Sequence, residues 1–332
     1  MNRKLGLTVV SLALLASCDD ESCFTGTCDG AGGTGGPGVG AGGTIVLTED
    51  NFVAALREAW FAMEVASGVP AFVVETGIGD TSGGVASLGG PSAKAMRSVV
   101  AVDPFGPTVY NCPVSGTFTV SGDIADPNTV TPGDFAIYDS SACDSGTGYT
   151  VDGNHRLDID TVDGDVNSGM YAQGQTLNFD GFRAQGATFT VELNGDHSSL
   201  VDTQSGSSVD TTFSGGSLIV DESQITVSIT NFIGADSVNT SSPFLRTINV
   251  DGNAASTAAP GSFRFATMET VLWESGAYPH DGILQVFGAS PGTARVAVVD
   301  NQFCNLQLDA NGNTNHETTI QMSWAEFLGL SH

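Results

Sequence analysis

The feature that most constrains the fold of this chain is a long series of short segments in which apolar and polar residues alternate. The stretch 225–230, for example, reads Ile-Thr-Val-Ser-Ile-Thr. Because successive side chains of a strand point to opposite faces of a sheet, this alternation indicates strands with one buried and one solvated face, as in antiparallel sheets. The chain also contains 43 glycines, and only 14% of its residues are charged, which favours strands and turns over helices.

The alternating segments predict a series of strands separated by turns. A faint internal repeat begins at Phe135 and again at Phe179, which indicates a hairpin unit that is used more than once. We therefore predict a mainly β fold: an antiparallel meandering sheet or a partly open barrel, with one amphipathic N-terminal helix and a short C-terminal helix. The predicted strands are 71–75, 98–102, 116–121, 134–139, 149–152, 155–161, 175–182, 188–193, 224–232, 245–250, 262–274, 282–287, 294–299, 303–308 and 318–322.

Two segments have the features of helices. In the first, at about residues 48–66, Thr48 is a suitable N-cap, and Gly68 and Pro70 are expected to end the helix. The second helix begins with a capping box, Ser323-Trp324-Ala325-Glu326. The apolar face of the first helix either packs on the sheet or acts as a lid over a hydrophobic cavity. That face is formed by Phe52, Ala55, Leu56, Ala59, Trp60 and Met63.

The N-terminal segment resembles a bacterial lipoprotein signal. Basic residues precede an apolar run that is too short to span a membrane, and the run ends in Leu15-Ala16-Ser17-Cys18, which is similar to a lipobox. The resemblance implies that residues 1–17 are removed and that Cys18 is lipidated with a diacyl group. The glycine-rich residues 18–44 are then expected to form a flexible tether, and residues 45–332 a β-rich globular domain.

Further short motifs extend this resemblance along most of the chain. Together with the lipobox and the tether they resemble uncharacterised β-rich lipoproteins of gammaproteobacterial type. The resemblance implies an exported β-rich lipoprotein and supplies no catalytic residue. The motifs are the Leu47-Thr48-Glu49-Asp50-Asn51 helix start, the strand start at 112–116, the run 282–286, the loop 308–313 and Ser323-Trp324.

The cysteines are consistent with an oxidising compartment, where disulfides form. Cys23 and Cys28 flank a short loop and could pair with each other, and Cys112 and Cys143 are a second candidate pair. Cys304 would then be a buried thiol in an apolar strand. The spacing of the cysteines is unlike that of zinc sites.

The acidic composition limits the partners of the chain. Asp and Glu number 37 against 10 Lys and Arg, for a formal net charge of −27 at pH 7. A surface of this sign repels phosphate backbones, so we expect no nucleic-acid partner.

One loop has the composition of a calcium site, which is the only cofactor that the sequence indicates. Asp309, Asn311, Asn313 and Glu317 could supply oxygen ligands at alternate positions. The spacing departs from that of an EF-hand, and the alternative is a polar hairpin turn with Asn-Gly at its tip.

Catalytic motifs are weak, and we predict that the chain is not an enzyme. Asp158 and Asp160 share one face of a predicted strand, which suits either paired-carboxylate chemistry or a solvated face. Cys143-Asp144-Ser145-Gly146 is not preceded by a histidine. All five histidines are expected to be exposed: His155, His197, His280, His316 and His332.

These features predict a lipid-anchored protein of the cell envelope that acts as a non-enzymatic binding or structural module. One alternative is a carrier that encloses an apolar ligand, such as a lipid, under the first helix. A further alternative is a calcium-dependent adhesin. The expected partner is the membrane, through the N-terminal lipid; the protein or ligand partner and the choice of inner or outer membrane are left open.

Overall fold

The computed structural model describes the chain from residue 43 to residue 328 with several gaps. The signal, the lipidation site Cys18, the candidate pair Cys23 and Cys28, and the predicted strand 98–102 lie outside the described residues. The described ranges are 43–75, 105–125, 130–144, 146, 150–165, 169–186, 190–222, 225–239, 245–259, 261–274 and 278–328.

The strands form one open antiparallel sheet of 14 strands in which every strand lies beside its neighbours in the sequence. The predicted mainly β, meandering architecture is therefore confirmed, and β1 and β14 are its edges. The strands are β1 (Phe105–Asn111), β2 (Ser115–Asp123), β3 (Phe135–Asp144), β4 (Thr150–Asp165), β5 (Met170–Gln185), β6 (Thr190–Asp202), β7 (Ser208–Glu222), β8 (Ile225–Asn239), β9 (Leu245–Ser256), β10 (Ser262–Glu274), β11 (Asp281–Phe287), β12 (Thr293–Val298), β13 (Phe303–Asp309) and β14 (Thr318–Ser323).

Glycines inside the strands explain two errors in the strand prediction. The segments 149–152 and 155–161 were predicted as separate strands, but both belong to β4, where Gly153 occupies a bulge with φ 87° instead of a turn. β7 was missed altogether, because its centre is the run Ser214-Gly215-Gly216-Ser217. Bulges bend a strand without ending its pairing, so they look like turns in the sequence.

A row of such glycines runs across neighbouring strands. The register shifts beside Gly153 in β4, Gly181 in β5 and Gly195 in β6, and all three have positive φ. A Cβ at Gly153 would lie 1.9 Å from the Gly181 carbonyl oxygen, and one at Gly195 would lie 2.0 Å from the Ser217 carbonyl oxygen. Only glycine permits this approach of the backbones. We call these three glycines the bulge row.

The long helix α1 (Phe52–Glu75) begins and ends later than predicted. At its start, the Asn51 side chain accepts a hydrogen bond from the Thr48 backbone N–H over 2.9 Å, so residues 48–51 form a turn before the helix. At its end, the helix continues through Pro70, and the predicted strand 71–75 is wrong.

The structure supplies a reason why Pro70 does not end α1. Proline has no backbone N–H, so the Ala66 carbonyl lacks its usual partner four residues later. The His197 Nε2 atom of β6 lies 2.8 Å from that carbonyl oxygen. Since a carbonyl only accepts, Nε2 donates and replaces the missing intrahelical bond.

The apolar face of α1 packs against one face of the sheet, on β6–β9 and β11–β13. Trp60 lies in a group of aromatic rings, 4.9 Å from Trp324 and 6.2 Å from Trp273 between centroids. The short helix α2 (Trp324–Phe327) has the predicted capping box, with Ser323 as N-cap. Neither helix in the described residues has the length and apolarity required to cross a membrane.

Candidate functional site

The predicted calcium loop is a compact turn whose oxygens accept hydrogen bonds from the loop itself. Asp309 is only 4% exposed, and its carboxylate accepts from the backbone N–H groups of Gly312 (2.7 Å) and Thr314 (2.8 Å). The Glu317 carboxylate accepts from the Ala310 N–H at 2.9 Å and from the Asn311 side chain.

The remaining ligand candidates are engaged in the same way. The side-chain oxygen of Asn311 accepts from the Asn313 N–H (3.0 Å), and that of Asn313 accepts from the Asn315 N–H (2.8 Å). Within the described ranges, no three His, Cys, Asp or Glu side chains form a group that could hold a metal ion. The geometry is that of a turn stabilised by Asx-type hydrogen bonds, and calcium binding remains a prediction.

The candidate pair Cys112 and Cys143 forms a disulfide with a Cα–Cα distance of 5.5 Å. It joins the residue that directly follows β1 to the last-but-one residue of β3. Cys304 is a buried free thiol, as expected, and burial raises its pKa to about 12. A thiol with this pKa stays protonated at neutral pH and is a poor nucleophile.

The two aspartates considered as a catalytic pair are engaged separately. Asp158 forms an ion pair with Arg156 at 2.6 Å, and Asp160 accepts a hydrogen bond from the Thr176 hydroxyl at 2.8 Å. Leu157 and Ile159 are buried on the opposite face. The geometry therefore matches the solvated-face alternative.

The prediction that all five histidines are exposed is wrong for His155 and His197, which are buried; His280 and His316 are partly exposed, and His332 lies outside the described residues. His155 is 1% exposed and lies against the ring of Tyr138, with centroids 4.7 Å apart and planes at 8°. Phe182 meets its ring edge-on at 5.0 Å. Neither ring nitrogen of His155 has a hydrogen-bond partner among the described residues. Burial without a partner lowers its pKa to about 3, so the ring is neutral at pH 7.

His197 is the second buried histidine, at 0% exposure. Its ring stacks on Phe213 at 6.0 Å and lies 5.9 Å from Phe232. Burial lowers its pKa to about 4, although the hydrogen bond to the Ala66 carbonyl acts in the opposite direction. Its Nδ1 atom has no partner among the described residues. A neutral ring that donates through Nε2 leaves Nδ1 as an acceptor.

Beyond His197 and its aromatic neighbours, the contact between α1 and the sheet also includes polar side chains. Arg246 of β9 forms an ion pair with Asp236 of β8 at 2.6 Å, and its Nη2 atom lies 3.4 Å from the Ser67 hydroxyl of α1. The Arg246 guanidinium also lies over the Trp273 ring at 5.5 Å. We name Ser67, His197, Asp236 and Arg246 the helix–sheet polar patch. Two further buried polar side chains, Gln173 of β5 and Ser199 of β6, lie on the same face of the sheet as His197.

Two glutamates of α1 have raised pKa values, and one of them, Glu64, interacts electrostatically with Arg246 of the patch. Glu58 is 8% exposed and accepts a 2.8 Å hydrogen bond from the Ser256 hydroxyl; burial raises its pKa. Glu64 is half-buried and accepts from Trp60 Nε1 at 3.0 Å. Burial of its carboxyl raises the pKa of Glu64 to about 7, with Trp60 and Arg246 opposing that shift.

Sequence reasoning missed this patch because its members are far apart in the chain. One signal could have found the histidines: Gly153-Asn154-His155 and Gly195-Asp196-His197 share the pattern Gly-x-His within alternating segments. In each, the bulge glycine is followed two residues later by a histidine on the inner face. The charged members of the patch carry no such signal.

Comparisons of this chain with protein families, with curated proteins and with solved structures give no match.

Proposed function

We propose that this chain is an exported, lipid-anchored protein of the cell envelope, and that its β domain is a non-enzymatic binding or structural module. The observation that carries the proposal is the disulfide between Cys112 and Cys143, because such bonds persist in oxidising compartments. It supports the export that the lipobox-like segment ending at Cys18 implies.

The packing around α1 favours a filled module over an apolar carrier. A carrier requires a cavity of several hundred Å³ lined by apolar side chains beneath the helix. At the predicted place, Phe52 and Trp60 are 0% and 1% exposed, and the rings of Trp273, Trp324 and Phe327 lie against Trp60. Aromatic side chains occupy the position that an apolar ligand would take.

The test of the anchor is a pair of single-cysteine variants of the full chain, expressed with its own signal in a Gram-negative host. The wild type and Cys23→Ala are expected to enter the detergent phase and to carry acyl chains by intact mass. Cys18→Ala is expected to stay in the aqueous phase. Detergent partitioning of Cys18→Ala equal to that of the wild type would contradict the proposed lipidation.

The test of the module uses the same Cys18→Ala protein, purified without detergent. Organic extraction followed by mass spectrometry is expected to recover lipid well below one molecule per chain. Recovery of a single lipid species at one molecule per chain would favour the carrier. For the adhesin, added Ca²⁺ must raise the melting temperature, since specific binding stabilises the folded state.

A further inference from the structure

The two edge strands of the sheet, β1 and β14, differ in how well they are protected against further pairing. Exposed edges pair readily with other strands, and proteins protect them with prolines, charged residues or bulges. β1 contains Gly106 and Pro107, and its register with β2 shifts between Phe105 and Thr108. β14 has no proline, glycine or charged residue, and its register with β13 is unbroken. β1 is therefore a protected edge, and β14 is an open one.

The hydrogen bonds between β13 and β14 show which backbone groups of β14 point away from the sheet. The Trp324 N–H donates to the Gln302 carbonyl at 3.0 Å, directly beyond the last pair of this ladder. Bonded and non-bonded pairs alternate in an antiparallel ladder. Thr319, Gln321 and Ser323 therefore direct their backbone N–H and C=O groups outward. The Ser323 N–H is taken up by the capping box of α2.

The outward backbone groups of Thr319 and Gln321 are available to an added strand. Within the described residues, no hydrogen bond reaches them from the open side, and both residues are exposed. Ile320 lies between them, opposite the fully buried Leu306, yet it is 36% exposed. An apolar side chain on an added strand would cover the open side of Ile320. The edge therefore fits an extended segment with an apolar residue at its centre.

The charges beside β14 define the sign of the segment that fits. At one end of the strand, the Glu49 carboxylate accepts a hydrogen bond from the Thr318 hydroxyl at 2.7 Å. At the other end, the Glu326 carboxylate accepts from the outward Ser323 N–H at 2.9 Å. Arg57 contacts this second end and donates to two backbone carbonyls of α2. A second copy, with a formal net charge of −27, would bring the same acidic groups to the edge, whereas a cationic segment is attracted.

We propose that β14 is a docking edge for an extended cationic segment of a partner protein, which pairs with Thr319 and Gln321 as an added strand. The segment has an apolar residue at its centre and Lys or Arg on both sides. Main-chain hydrogen bonds supply the affinity of such strand addition, and the flanking charges supply specificity. The proposal rests on the proposed function of a binding module, and it names the surface and the partner class of that module.

The test uses the synthetic peptide Lys-Arg-Thr-Val-Ile-Val-Thr-Arg-Lys and the Cys18→Ala protein. We expect saturable binding by fluorescence anisotropy and slower amide hydrogen exchange at Thr319 and Gln321 in the complex. A matched peptide with Glu in place of each Lys and Arg is expected to bind about tenfold more weakly or less. The absence of saturable binding of the cationic peptide, or binding that leaves the exchange of these two amides unchanged, would overturn the proposal.

Gln321→Pro tests the edge directly, because it removes an outward N–H and leaves the pairing with β13 intact; proline is tolerated on edge strands. We expect its melting temperature to stay within a few degrees of that of the parent protein, and its affinity for the cationic peptide to fall about tenfold. Gln321→Thr keeps the N–H and is expected to bind like the parent. Equal binding by Gln321→Pro would overturn the site.

The same variants distinguish the partner segment from a second copy of the chain. A parent protein that sediments as a dimer, and that Gln321→Pro converts to a monomer, would assign the edge to self-pairing and overturn the proposed partner. A failure of the peptide to bind leaves the lipidation and the lipid-extraction results unchanged, so it is distinct from a failure of the proposed function.

Discussion

The sheet consists of two regions that differ in regularity. From β1 to β11, every pairing of neighbouring strands contains a register shift except that of β7 with β8. From β11 to β14, the three pairings are unbroken. We call these the bulged region and the regular region. Both buried histidines and the disulfide lie in the bulged region, whereas the buried side chains of β11 and β12 are all apolar and those of β13 are apolar except Cys304 and Asp309.

This difference shows how one meander combines two tasks. Bulges increase the local twist and redirect side chains, and in the bulged region they accompany buried polar groups. Helix α1 contacts both regions. Phe52 and Trp60 belong to its apolar half, whereas Ser67 is a member of the polar patch and Glu64 and Ala66 interact with it. The regular region therefore provides aliphatic packing for the apolar half of α1, and the bulged region provides both the buried aromatic rings of the sheet and the internal polar groups.

The largest expected effect comes from the bulge row. Gly153→Ala places a Cβ at φ 87° and 1.9 Å from the Gly181 carbonyl oxygen. The left-handed strain and the displaced backbone are expected to cost about 4 kcal/mol or more of unfolding free energy. Gly292→Ala, beside the regular region, is the control, because its nearest neighbours would be 3.6 Å away. If the two variants are equally stable to urea, the bulge row does not have the structural role that we assign to it.

The second effect concerns the disulfide. Its cysteines are separated by 31 residues, and removal of a cross-link that closes a loop of that size is expected to lower the unfolding free energy by about 3.7 kcal/mol. We expect Cys112→Ala with Cys143→Ala to lower the melting temperature and to abolish its response to a reducing agent. Cys304→Ala in the regular region keeps that response and serves as the matched cysteine control. A wild-type melting temperature that is insensitive to complete reduction would contradict this prediction.

The two regions also differ in how well the sequence predicts their structure. In the regular region, strict alternation and a capping box predicted β11–β14 and α2 to within a residue or two. In the bulged region, Gly153 was interpreted as a turn and β7 was missed, because local patterns do not distinguish a bulge from a chain reversal. The end of α1 was also wrong, since the donor that replaces the N–H missing at Pro70 comes from His197, far away in the sequence. The candidate calcium loop was located correctly as a loop, but its internal hydrogen bonds depend on backbone geometry that composition does not define.

The third effect is the response of the bulged region to acid. The folded-state pKa of His155 is lowered to about 3 by burial, against an ordinary value near 6.5. The stability that the neutral ring contributes is therefore fully present above pH 6.5 and is lost as the pH falls toward 3. At pH 5 the loss is about 2 kcal/mol relative to pH 7.5.

His155→Phe keeps an aromatic ring between Tyr138 and Phe182 and removes the titration. We expect its unfolding free energy to fall by about 2 kcal/mol less than that of the wild type between pH 7.5 and pH 5, as measured by urea midpoints. Ser140→Ala removes a buried, non-titrating hydroxyl from the same region and is expected to leave the pH dependence unchanged. The same acid dependence in wild type and His155→Phe would show that His155 is hydrated or protonated in the folded state.

The smallest effect has the opposite sign and comes from α1. Burial raises the folded-state pKa of Glu64 to about 7 from its usual 4.5, so the folded state binds the proton more tightly and stability declines as the pH rises through that window. Because Glu64 is half-buried, we expect the unfolding free energy to decline by only about 1 kcal/mol between pH 5 and pH 8.

Glu64→Gln keeps an acceptor for Trp60 Nε1 and is expected to remove this decline. Trp60→Phe removes the donor that stabilises the carboxylate, which raises the pKa of Glu64 further and moves the decline to higher pH. If the unfolding free energy of Glu64→Gln declines with rising pH as it does in the wild type, the decline is caused by another ionisable group.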